Sequence, residues 1–438
     1  MKIAIFGTGY VGLVTGVCLS DIGHEVTCID IDRKKVEKMK SGRSPIHEPG
    51  LQELMIKNMK ENRLSFTTAY DEVVNHVDLI YIAVGTPSNK DGSANLQFIE
   101  QTALQIAESV EKDMIIVIKS TVPVGTNDYI KNFILTHLKS NVKIHMVSNP
   151  EFLREGSAIY DSFHGDRIVI GTTNENVANK MMELNSAFNI PIFQTSIRSA
   201  ELIKYASNAF LATKISFINE ISTICEKVDA NIDDVAYGMG LDKRIGPRFL
   251  NAGIGYGGSC FPKDAQALIQ IACDVDYEFS LLKSVIQVNK IQQTLLIEKA
   301  KQAFDHLAGK KVAVLGLAFK PHTDDLREAA SIVIVNELLA LGAEISVYDP
   351  VAMNNAMKIF PPKVTYVESI DEAIQDAEGA FIVTEWDEIK NYPLDNYATL
   401  MKHANVFDGR NCYDLQNVKK SGLHYYSIGR PEVSNLDN

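Results

Sequence analysis

Short apolar runs separated by stretches of helical periodicity dominate the first half of the chain. Residues 3–6 form an apolar run that leads into a helical stretch ending at Ile22, and residues 25–30 form a second run directly after Gly23. Three more runs of this kind follow at residues 79–84, 114–118 and 143–147. Apolar strands that alternate with helices predict an α/β domain built on a doubly wound parallel sheet.

The middle of the chain has a different pattern, in which apolar residues recur at helical spacing with few breaks. Residues 198–228 contain neither glycine nor proline, which predicts one long helix. Lys204 and Asn208 lie four residues apart on it and share a face. The segment up to about residue 302 is helical in pattern, apart from a glycine-rich loop at residues 255–264. We expect it to link two α/β halves and to serve as a dimer interface.

The last third of the chain repeats the opening pattern. Residues 312–316 match residues 3–7, and residues 342–349 match residues 23–30. The matched glycines are 26 residues apart here and 16 apart in the first copy, and the additional residues fall around positions 318–328. The repeat therefore predicts a second α/β domain with an enlarged loop.

A chain of 438 residues is too long for one ordinary core, so several domains are expected. The pattern divides it at residues 1–195, 196–302 and 303–438. The predicted fold class is α/β, with two doubly wound parallel-sheet domains joined by a helical central domain that contains the long helix. The polar residues after Arg430 predict an irregular tail.

Composition and charge narrow the class of protein. The chain is 46% hydrophobic and 22% charged, as in soluble globular proteins, and its net charge of −12 argues against nucleic acid and against an anionic membrane surface as partners. An anionic small ligand would need a local cationic pocket. The six cysteines show neither a CxxC pair nor a paired metal spacing, so we expect reduced thiols in the cytoplasm and no metal site.

Two features bear on targeting and membrane insertion. Lys2 and the apolar run behind it could mimic a signal peptide, but Gly7, Gly9 and Gly12 interrupt that run and a second strand pattern follows at once. No other run approaches the ~18 apolar residues of a membrane span. We therefore expect no membrane partner.

The first strand–helix junction carries the pattern G-x-G-x-x-G at Gly7, Gly9 and Gly12. In this context the first glycine makes the turn, the second admits a pyrophosphate, and the third lets the helix pack on the strand, as in Rossmann-like dinucleotide sites. Asp30 ends the second strand, where its carboxylate would accept the ribose hydroxyls and repel a 2′-phosphate, which favours NAD over NADP. Because Lys35 lies nearby, NADP remains an alternative cofactor. The alternative is a glycine turn without a ligand. The repeat in the last third lacks this pattern and is not predicted to hold a second dinucleotide.

The loop at residues 255–264 places one thiol, Cys260, just ahead of a helix start predicted at Pro262. The positive end of the helix dipole and Lys263 both favour its thiolate form. Asp264 is four residues further on and reaches the same neighbourhood. From these ten residues alone, a tight turn with a buried structural cysteine is an equal alternative.

Polar residues follow the apolar strands at the edge where ligands of such sheets bind. Thr86, Thr121, Glu151 and Glu155 all occupy strand ends of this kind. Each alone could be an inert polar residue of a loop tip. In the last third, Lys320 and Arg327 are the cations that an anionic ligand would need.

Taken together, these motifs closely resemble the UDP-glucose/GDP-mannose dehydrogenase family, from residue 1 to about residue 430. The resemblance rests on motifs in the family's order, at residues 7–12, 85–87, 120–123, 149–156, 257–264, 319–327 and 408–410. Within the family, residues 204–210 and 244–246 are similar to the members that oxidise UDP-glucose. Members that act on N-acetylated sugars usually differ around that helix. The alternative is the same chemistry on another nucleotide sugar, a UDP-N-acetylhexosamine or GDP-mannose.

The resemblance implies oxidation of the sugar C6 alcohol to a carboxylate, here UDP-glucose to UDP-glucuronate, with two NAD per turnover. Cys260 would attack the aldehyde, and the thiohemiacetal would be oxidised to a thioester that water hydrolyses. Lys204 and Asn208 would stabilise oxyanions. Asp264 and Thr121 would place or activate water, and Glu151 would assist the acid–base steps.

The binding residues follow in the same way from the resemblance and the motifs. The expected NAD contacts are Gly7, Gly9, Tyr10, Val11, Gly12, Asp30, Lys35, Thr86, Thr121, Glu155, Lys263 and Arg327. The expected sugar-nucleotide contacts are Glu151, Phe152, Leu153, Glu155, Lys204, Asn208, Phe249, Leu250, Asn251, Ala252, Gly253, Gly257, Cys260, Phe319, Lys320 and Arg410, with Arg244 reaching the ligand of a neighbouring subunit.

The remaining expectations concern the setting of the enzyme. The resemblance implies a homodimer or higher homo-oligomer that contributes to polysaccharide synthesis. A different class of protein, a nucleotide-sugar binding or scaffolding protein with a decayed active site, is disfavoured because Cys260, Lys204, Asn208 and Asp264 are all present.

Overall fold

The computed structural model describes residues 1–434, which form two compact units. The first unit contains residues 1–207 and 266–277, and the second contains residues 208–265 and those from 278 onward. The division into three domains stays a prediction.

The first unit is built on an eight-stranded sheet in the order β3-β2-β1-β4-β5-β6-β7-β8. Neighbouring strands are parallel except for β6 and β7, which are antiparallel. The strands are β1 (Lys2–Phe6), β2 (Glu25–Ile29), β3 (Leu64–Thr67), β4 (Leu79–Ile82), β5 (Met114–Ile118), β6 (Ile144–Ser148), β7 (Ile168–Gly171) and β8 (Ile192–Thr195). The helices are α1 (Tyr10–Asp21), α2 (Arg33–Lys40), α3 (Leu51–Lys60), α4 (Asp71–Val74), α5 (Gln97–Ser109), α6 (Thr126–His137), α7 (Ala158–His164) and α8 (Glu175–Asn185), with a short 3-10 helix at Ser186–Phe188.

The central strands of this sheet are apolar because helices cover both of its faces. All of β4 and β5 is buried, and β1 is buried after its first residue. Alternate side chains enter two separate apolar clusters, for example Ile3 and Ile5 on one face and Ala4 and Phe6 on the other. The carboxyl ends of β1, β4, β5 and β6 are thereby fixed side by side, which positions the loops that follow them.

The second unit contains a six-stranded parallel sheet in the order β11-β10-β9-β12-β13-β14. This is the order that the first six strands have in the other sheet, so the predicted repeat and the α/β fold class are confirmed. Its strands are β9 (Lys311–Leu315), β10 (Glu344–Tyr348), β11 (Thr365–Tyr366), β12 (Gly379–Ile382), β13 (Asn405–Asp408) and β14 (His424–Tyr426). Its helices are α14 (Ala330–Ala340), α15 (Met353–Ala356), α16 (Ile370–Ile374), α17 (Asp387–Lys390), α18 (Leu394–Leu400) and α19 (Leu415–Val418).

Helices connect the two sheets along the chain. They are α9 (Ile197–Lys227), α10 (Ile232–Gly240), α11 (Phe261–Cys273), α12 (Ser280–Gln292) and α13 (Leu295–Ala303). The predicted long helix is confirmed, because α9 is 31 residues long. The boundary between the units falls within α9 and again within α11.

Two further observations concern the tail and the helices as a whole. The predicted irregular tail is wrong in part, because Val433 pairs with Tyr425 in an antiparallel bridge, and residues 435–438 of that tail lie outside the described residues. Among residues 1–434, no helix is both long enough and apolar enough to cross a membrane.

Candidate active site

The turn between β1 and α1 leaves open space at the start of the helix. Gly7 has φ of +95°, and a Cβ on Gly12 would lie 2.0 Å from the Gly7 carbonyl oxygen, so both positions require glycine. A Cβ on Gly9 would meet no atom within 4 Å. Because Gly9 stands at the N-cap of α1, this space faces backbone N–H groups at the positive end of the helix, which fits a dinucleotide pyrophosphate.

Asp30 follows β2 at the edge of this space. Its Oδ2 accepts hydrogen bonds from the backbone N–H of Thr8 at 3.0 Å and from Lys35 Nζ at 3.1 Å, and also from the Thr8 hydroxyl. Burial raises the pKa of Asp30, but the bonds from Thr8 and Asp32 and the charge of Lys35 outweigh it and hold the pKa below its usual value. Asp30 is therefore an anion at neutral pH, and the ammonium of Lys35 is engaged by it.

The open space at Gly9 gives a prediction that separates ligand binding from folding. We expect Gly9→Ala to leave the melting temperature within about 2 °C of the original, because small changes without steric conflict are tolerated, and to weaken NAD binding by roughly tenfold or more, because its methyl group occupies the pyrophosphate space. Gly12→Ala is the matched control. It should lower both the melting temperature and NAD affinity, since overpacking costs about 1–3 kcal/mol. Calorimetric titration with NAD and thermal unfolding of both variants test this, and unchanged NAD affinity in Gly9→Ala would contradict it.

Glu151 and Lys204 form a buried ion pair in the first unit. Lys204 Nζ lies 2.8 Å from Glu151 Oε1, and the backbone N–H of Leu153 donates to Oε2 at 2.6 Å. Burial raises the pKa of Glu151, but the charge and hydrogen bond of Lys204 outweigh it, with help from Leu153 and Lys119, so the pKa lies below its usual value. A fixed cation and an ionised carboxylate at a strand end can stabilise an oxyanion and exchange protons with substrate or water.

The loop after β5 lies beside this pair in the same unit. Thr86 donates its hydroxyl proton to the carbonyl of Thr121 at 2.9 Å, which links two predicted site residues directly. Lys119, at the end of β5, donates to Asn149 Oδ1 at 3.1 Å. Loss of hydration on burial lowers the pKa of Lys119 to about 8, although the charge of Glu151 opposes this. Lys119 was not predicted to lie beside the Glu151–Lys204 pair, and its only signal in the sequence is a lysine that follows an otherwise apolar strand.

Cys260 directly precedes α11, which begins at Phe261, one residue before the predicted start. Unlike the buried Cys18, Cys28 and Cys225, it is partly exposed, which disfavours the alternative of a buried structural cysteine. The backbone N–H of Asp264 donates to the Cys260 carbonyl at 2.8 Å, as expected in the first helical turn.

Asp264 lies at the centre of a polar cluster in the second unit. Its side chain is 1% exposed. One carboxylate oxygen accepts from Asn208 Nδ2 at 2.7 Å and the other from Lys263 Nζ at 2.6 Å. These bonds fix the residue that stands one helical turn from Cys260, and they unite three of the predicted site residues.

The glycines ahead of Cys260 allow the loop to pass very close to other backbone. A Cβ on Gly257 would lie 2.2 Å from the carbonyl oxygen of Glu328. Asn289 holds the loop from the other side, because its side chain accepts from the backbone N–H of Tyr256 at 2.8 Å and donates to the Tyr256 carbonyl at 3.0 Å. Asn289 is a second missed residue, since nothing in its helical surroundings marks it.

The predicted sugar-nucleotide residues of the second unit border this loop only in part. Arg410 donates to the carbonyl of Gly255 at 3.0 Å, and Phe249 holds an unusual φ of +64° with its ring 6.2 Å from that of Phe261. Arg244, by contrast, has a side chain that is 89% exposed.

The other predicted contacts of the second unit have these positions. Gly253 donates its N–H to the side chain of Asn219, and its carbonyl accepts a hydrogen bond from Gln292. Leu250 and Ala252 are buried, whereas Asn251 is exposed. Lys320 lies 5.4 Å from the ring of Phe319, and Arg327 forms an ion pair with Asp325 at 2.7 Å.

The structure thus gathers the predicted residues into two sets, one in each unit. The first unit holds Gly7, Gly9, Tyr10, Val11, Gly12, Asp30, Lys35, Thr86, Thr121, Glu151, Phe152, Leu153, Glu155 and Lys204. The second holds Asn208, Arg244, Phe249, Leu250, Asn251, Ala252, Gly253, Gly257, Cys260, Lys263, Asp264, Phe319, Lys320, Arg327 and Arg410. The binding and catalytic roles of these residues stay predictions.

Three family models match the chain in succession. Residues 1–189 match the NAD binding domain of the UDP-glucose/GDP-mannose dehydrogenase family, residues 198–291 match its central domain, and residues 313–415 match its UDP binding domain. The chain belongs to the UDP-glucose/GDP-mannose dehydrogenase family. The predicted family, the NAD cofactor and the enzyme class, an NAD-dependent dehydrogenase of nucleotide sugars, are thereby confirmed.

Individual relatives agree with this assignment. The UDP-glucose 6-dehydrogenase YwqF of Bacillus subtilis is 59% identical over 99% of this chain and 98% of its own length. The solved structure of a UDP-glucose dehydrogenase from Pyrobaculum islandicum is 37% identical, with a TM-score of 0.92 over 98% of both chains. That of a UDP-D-ManNAc dehydrogenase from Pyrococcus horikoshii is 26% identical, with a TM-score of 0.87 over 98% of this chain and 99% of its own.

The UDP binding domain uses its counterpart of Asp30 differently. Asp349, at the end of β10, is 2% exposed and accepts hydrogen bonds from the backbone of Leu317 and Ala318 and from the indole of Trp386, at 2.7–3.0 Å. Asp30 is also hydrogen-bonded within its own domain, but its side chain is 12% exposed, so the carboxylate of Asp349 is the less accessible of the two. The absence of a second dinucleotide site stays a prediction.

Proposed function

We propose that this chain oxidises UDP-glucose to UDP-glucuronate in two hydride transfers, with Cys260 as the nucleophile. The observation that carries the proposal is the position of Cys260, partly exposed at the start of α11 and one turn from the buried cluster of Asn208, Lys263 and Asp264. A dehydrogenase that stopped at the aldehyde would have no use for a thiol there.

UDP-glucose, two NAD⁺ and one water give UDP-glucuronate, two NADH and three protons. NAD⁺ supplies the hydride acceptor in both oxidations, and the residues around Gly9 and Asp30 would hold it. The C6 alcohol loses a proton and a hydride to become an aldehyde, and the Cys260 thiolate adds to the aldehyde carbon as the oxygen takes up a proton.

The second half of the reaction releases the acid. The thiohemiacetal loses a proton and a hydride and becomes a thioester. Water then attacks the carbonyl, and the carbon–sulfur bond breaks to restore the thiolate of Cys260. Lys204 and Asn208 would stabilise the oxyanion of each step, and Glu151 would move protons. Thr121 and Asp264 would place the attacking water.

Three observations support UDP-glucose as the sugar nucleotide. The last part of the chain matches a UDP binding domain, YwqF at 59% identity is named a UDP-glucose 6-dehydrogenase, and the structure with a TM-score of 0.92 is also a UDP-glucose dehydrogenase. The relative named for UDP-D-ManNAc, at 26% identity, keeps the alternative of an N-acetylhexosamine as the second candidate.

A substrate panel tests the choice of sugar. Purified protein is supplied with NAD⁺ and, in separate reactions, UDP-glucose, UDP-N-acetylglucosamine, UDP-N-acetylmannosamine and GDP-mannose, and NADH is followed by absorbance. We expect kcat/KM for UDP-glucose to exceed the others by roughly 10²-fold or more, because an N-acetyl group adds bulk and a buried polar group to a fitted pocket. A higher kcat/KM for an N-acetylhexosamine would overturn the proposal in favour of the alternative.

The remaining expectations, homo-oligomeric assembly, a cytoplasmic location and a contribution to polysaccharide synthesis, are part of the proposal. Assembly is supported by apolar residues that α9 leaves exposed at a spacing of seven, namely Phe210 at 66%, Phe217 at 51% and Ile224 at 53%. Repeated exposed apolar side chains along one helix are typical of helix–helix interfaces.

A further inference from the structure

Helix α9 carries a second buried charged residue, Glu201, one turn before Lys204. Glu201 is 2% exposed, and its carboxylate is directed at the start of α6. Residues three apart on a helix are neighbours on its surface. The same turn of α9 therefore presents Lys204 to Glu151 and Glu201 to a different part of the first unit.

Glu201 caps α6 from 76 residues away in the sequence. One carboxylate oxygen accepts the backbone N–H of Gly125 at 2.7 Å, and the other accepts the backbone N–H and the side-chain amide of Asn127 at 2.9 and 2.7 Å. These backbone groups belong to the first turn of α6, which has no partners within the helix. A carboxylate at this end is also favoured by the helix dipole.

The loop that enters α6 contains Thr121 and is held at both ends. At its start, Ser120 donates its hydroxyl proton to the carbonyl of Val84 at 2.7 Å, and Thr86 donates to the carbonyl of Thr121 at 2.9 Å. At its end, Glu201 fixes Gly125. Because Glu201 belongs to α9, the position of the end of this loop depends on where α9 lies.

We propose that Glu201 is a positioning residue that holds Thr121 at a fixed position relative to Lys204. Glu201 thereby determines where the water that hydrolyses the thioester is placed. The inference rests on the proposed function, because that function gives Thr121 its water. A helix cap that only stabilised the fold would affect kcat independently of Thr121. The proposed role instead requires the effect of Glu201 on kcat to depend on the presence of Thr121.

The test is Glu201→Gln in the full-length protein. Glutamine keeps the size of the side chain but turns an –NH₂ group toward the N–H donors of α6. We expect kcat for UDP-glucuronate formation to fall by roughly ten- to a hundredfold, as for a small misplacement of a reacting group, with KM for UDP-glucose and NAD⁺ changed by less than about twofold. In a Thr121→Ala background the same substitution should change kcat by less than about twofold, because the two residues act as one unit.

Asn58→Ala is the control for simple loss of stability. Asn58 is fully buried in the same unit, and its amide donates to Leu54 and Asp21 at 2.9 and 3.1 Å. We expect this variant to melt at a lower temperature with kcat unchanged at 25 °C. If Glu201→Gln does not fold, Glu201→Asp, which keeps the charge on a shorter side chain, takes its place in the same cycle.

Three results would overturn the inference in an enzyme that is active on UDP-glucose. The first is an unchanged kcat in the Glu201 variant. The second is a fold-decrease in kcat from the Glu201 substitution that is as large in the Thr121→Ala background as in the unaltered protein. The third is an equal decrease in kcat in Asn58→Ala. Failure of the proposed function itself would appear differently, as unmodified protein that forms no NADH from UDP-glucose.

Discussion

Replacing Cys260 with serine is expected to lower the rate of UDP-glucuronate formation by at least about 10³-fold, as for the loss of an enzymatic nucleophile. Serine keeps the size and the hydrogen bonds of the side chain, but its hydroxyl does not ionise near neutral pH and does not become a comparable leaving group. The helix dipole and the cluster around Asp264 cannot compensate for that difference. The measurement is product formation by chromatography, together with NADH by absorbance.

Cys273→Ser is the matched control, because Cys273 lies at the other end of the same helix and is exposed. We expect its kcat and KM to equal those of the unaltered protein. Full oxidation by Cys260→Ser at an undiminished rate would contradict the thioester route. An equal loss in both cysteine variants would show that the effect is not specific to residue 260.

Replacing Lys204 with alanine is expected to affect both stability and turnover. The Lys204 and Glu151 side chains are 4% and 5% exposed, so the variant leaves Glu151 as a buried charge without the cation that donates a hydrogen bond to it. Removing one partner of a buried pair costs about 3–5 kcal/mol, and loss of an oxyanion stabiliser lowers kcat by about 10²–10³-fold. Denaturant unfolding and steady-state kinetics measure the two effects.

The pH dependence of Lys204→Ala follows from the direction of the Glu151 pKa. In the unaltered protein that pKa is lowered, so the pair contributes stability above the unfolded value of about 4.3, and this contribution is lost as the pH falls through the folded value. Without Lys204, the pKa of Glu151 should rise, because only Leu153 and Lys119 then oppose the effect of burial. The stability difference between the two proteins should therefore be largest near neutral pH and shrink toward pH ~4.

Lys57→Ala is the control for the buried pair. Lys57 lies 2.7 Å from Asp21, a separation like that of Lys204 and Glu151, but its side chain is 49% exposed. Exposed pairs of this kind contribute about 0–1 kcal/mol, so we expect a small loss of stability and no change in kcat. A Lys204→Ala variant as stable and active as Lys57→Ala would contradict the assigned role of the buried pair.

The central strands of both sheets could be predicted from the sequence because they are buried on both faces. Strands β4, β5 and β12 are buried throughout and read as continuous apolar runs. The pattern missed β8, whose residues are all partly or fully exposed. The two-residue β11 is too short to leave a periodic signal.

Candidate site residues could be predicted where they lie together in one short motif. They could not be predicted where a residue distant in the sequence holds a motif in place. Cys260 and Asp264 lie within one short motif. Glu201 and Asn289 instead act on segments 76 and 33 residues away. Their hydrogen bonds depend on tertiary packing, which a local sequence pattern does not predict. From the sequence alone, a glutamate on a long helix is expected to be exposed to solvent.

The ratio of NADH to UDP-glucuronate tests the central claim most directly. Unmodified protein is incubated with limiting UDP-glucose and excess NAD⁺ until the reaction stops, and both products are quantified. The account predicts two NADH for each UDP-glucuronate, with no free UDP-linked aldehyde. One NADH for each UDP-glucose consumed, with the aldehyde as the product, would contradict it.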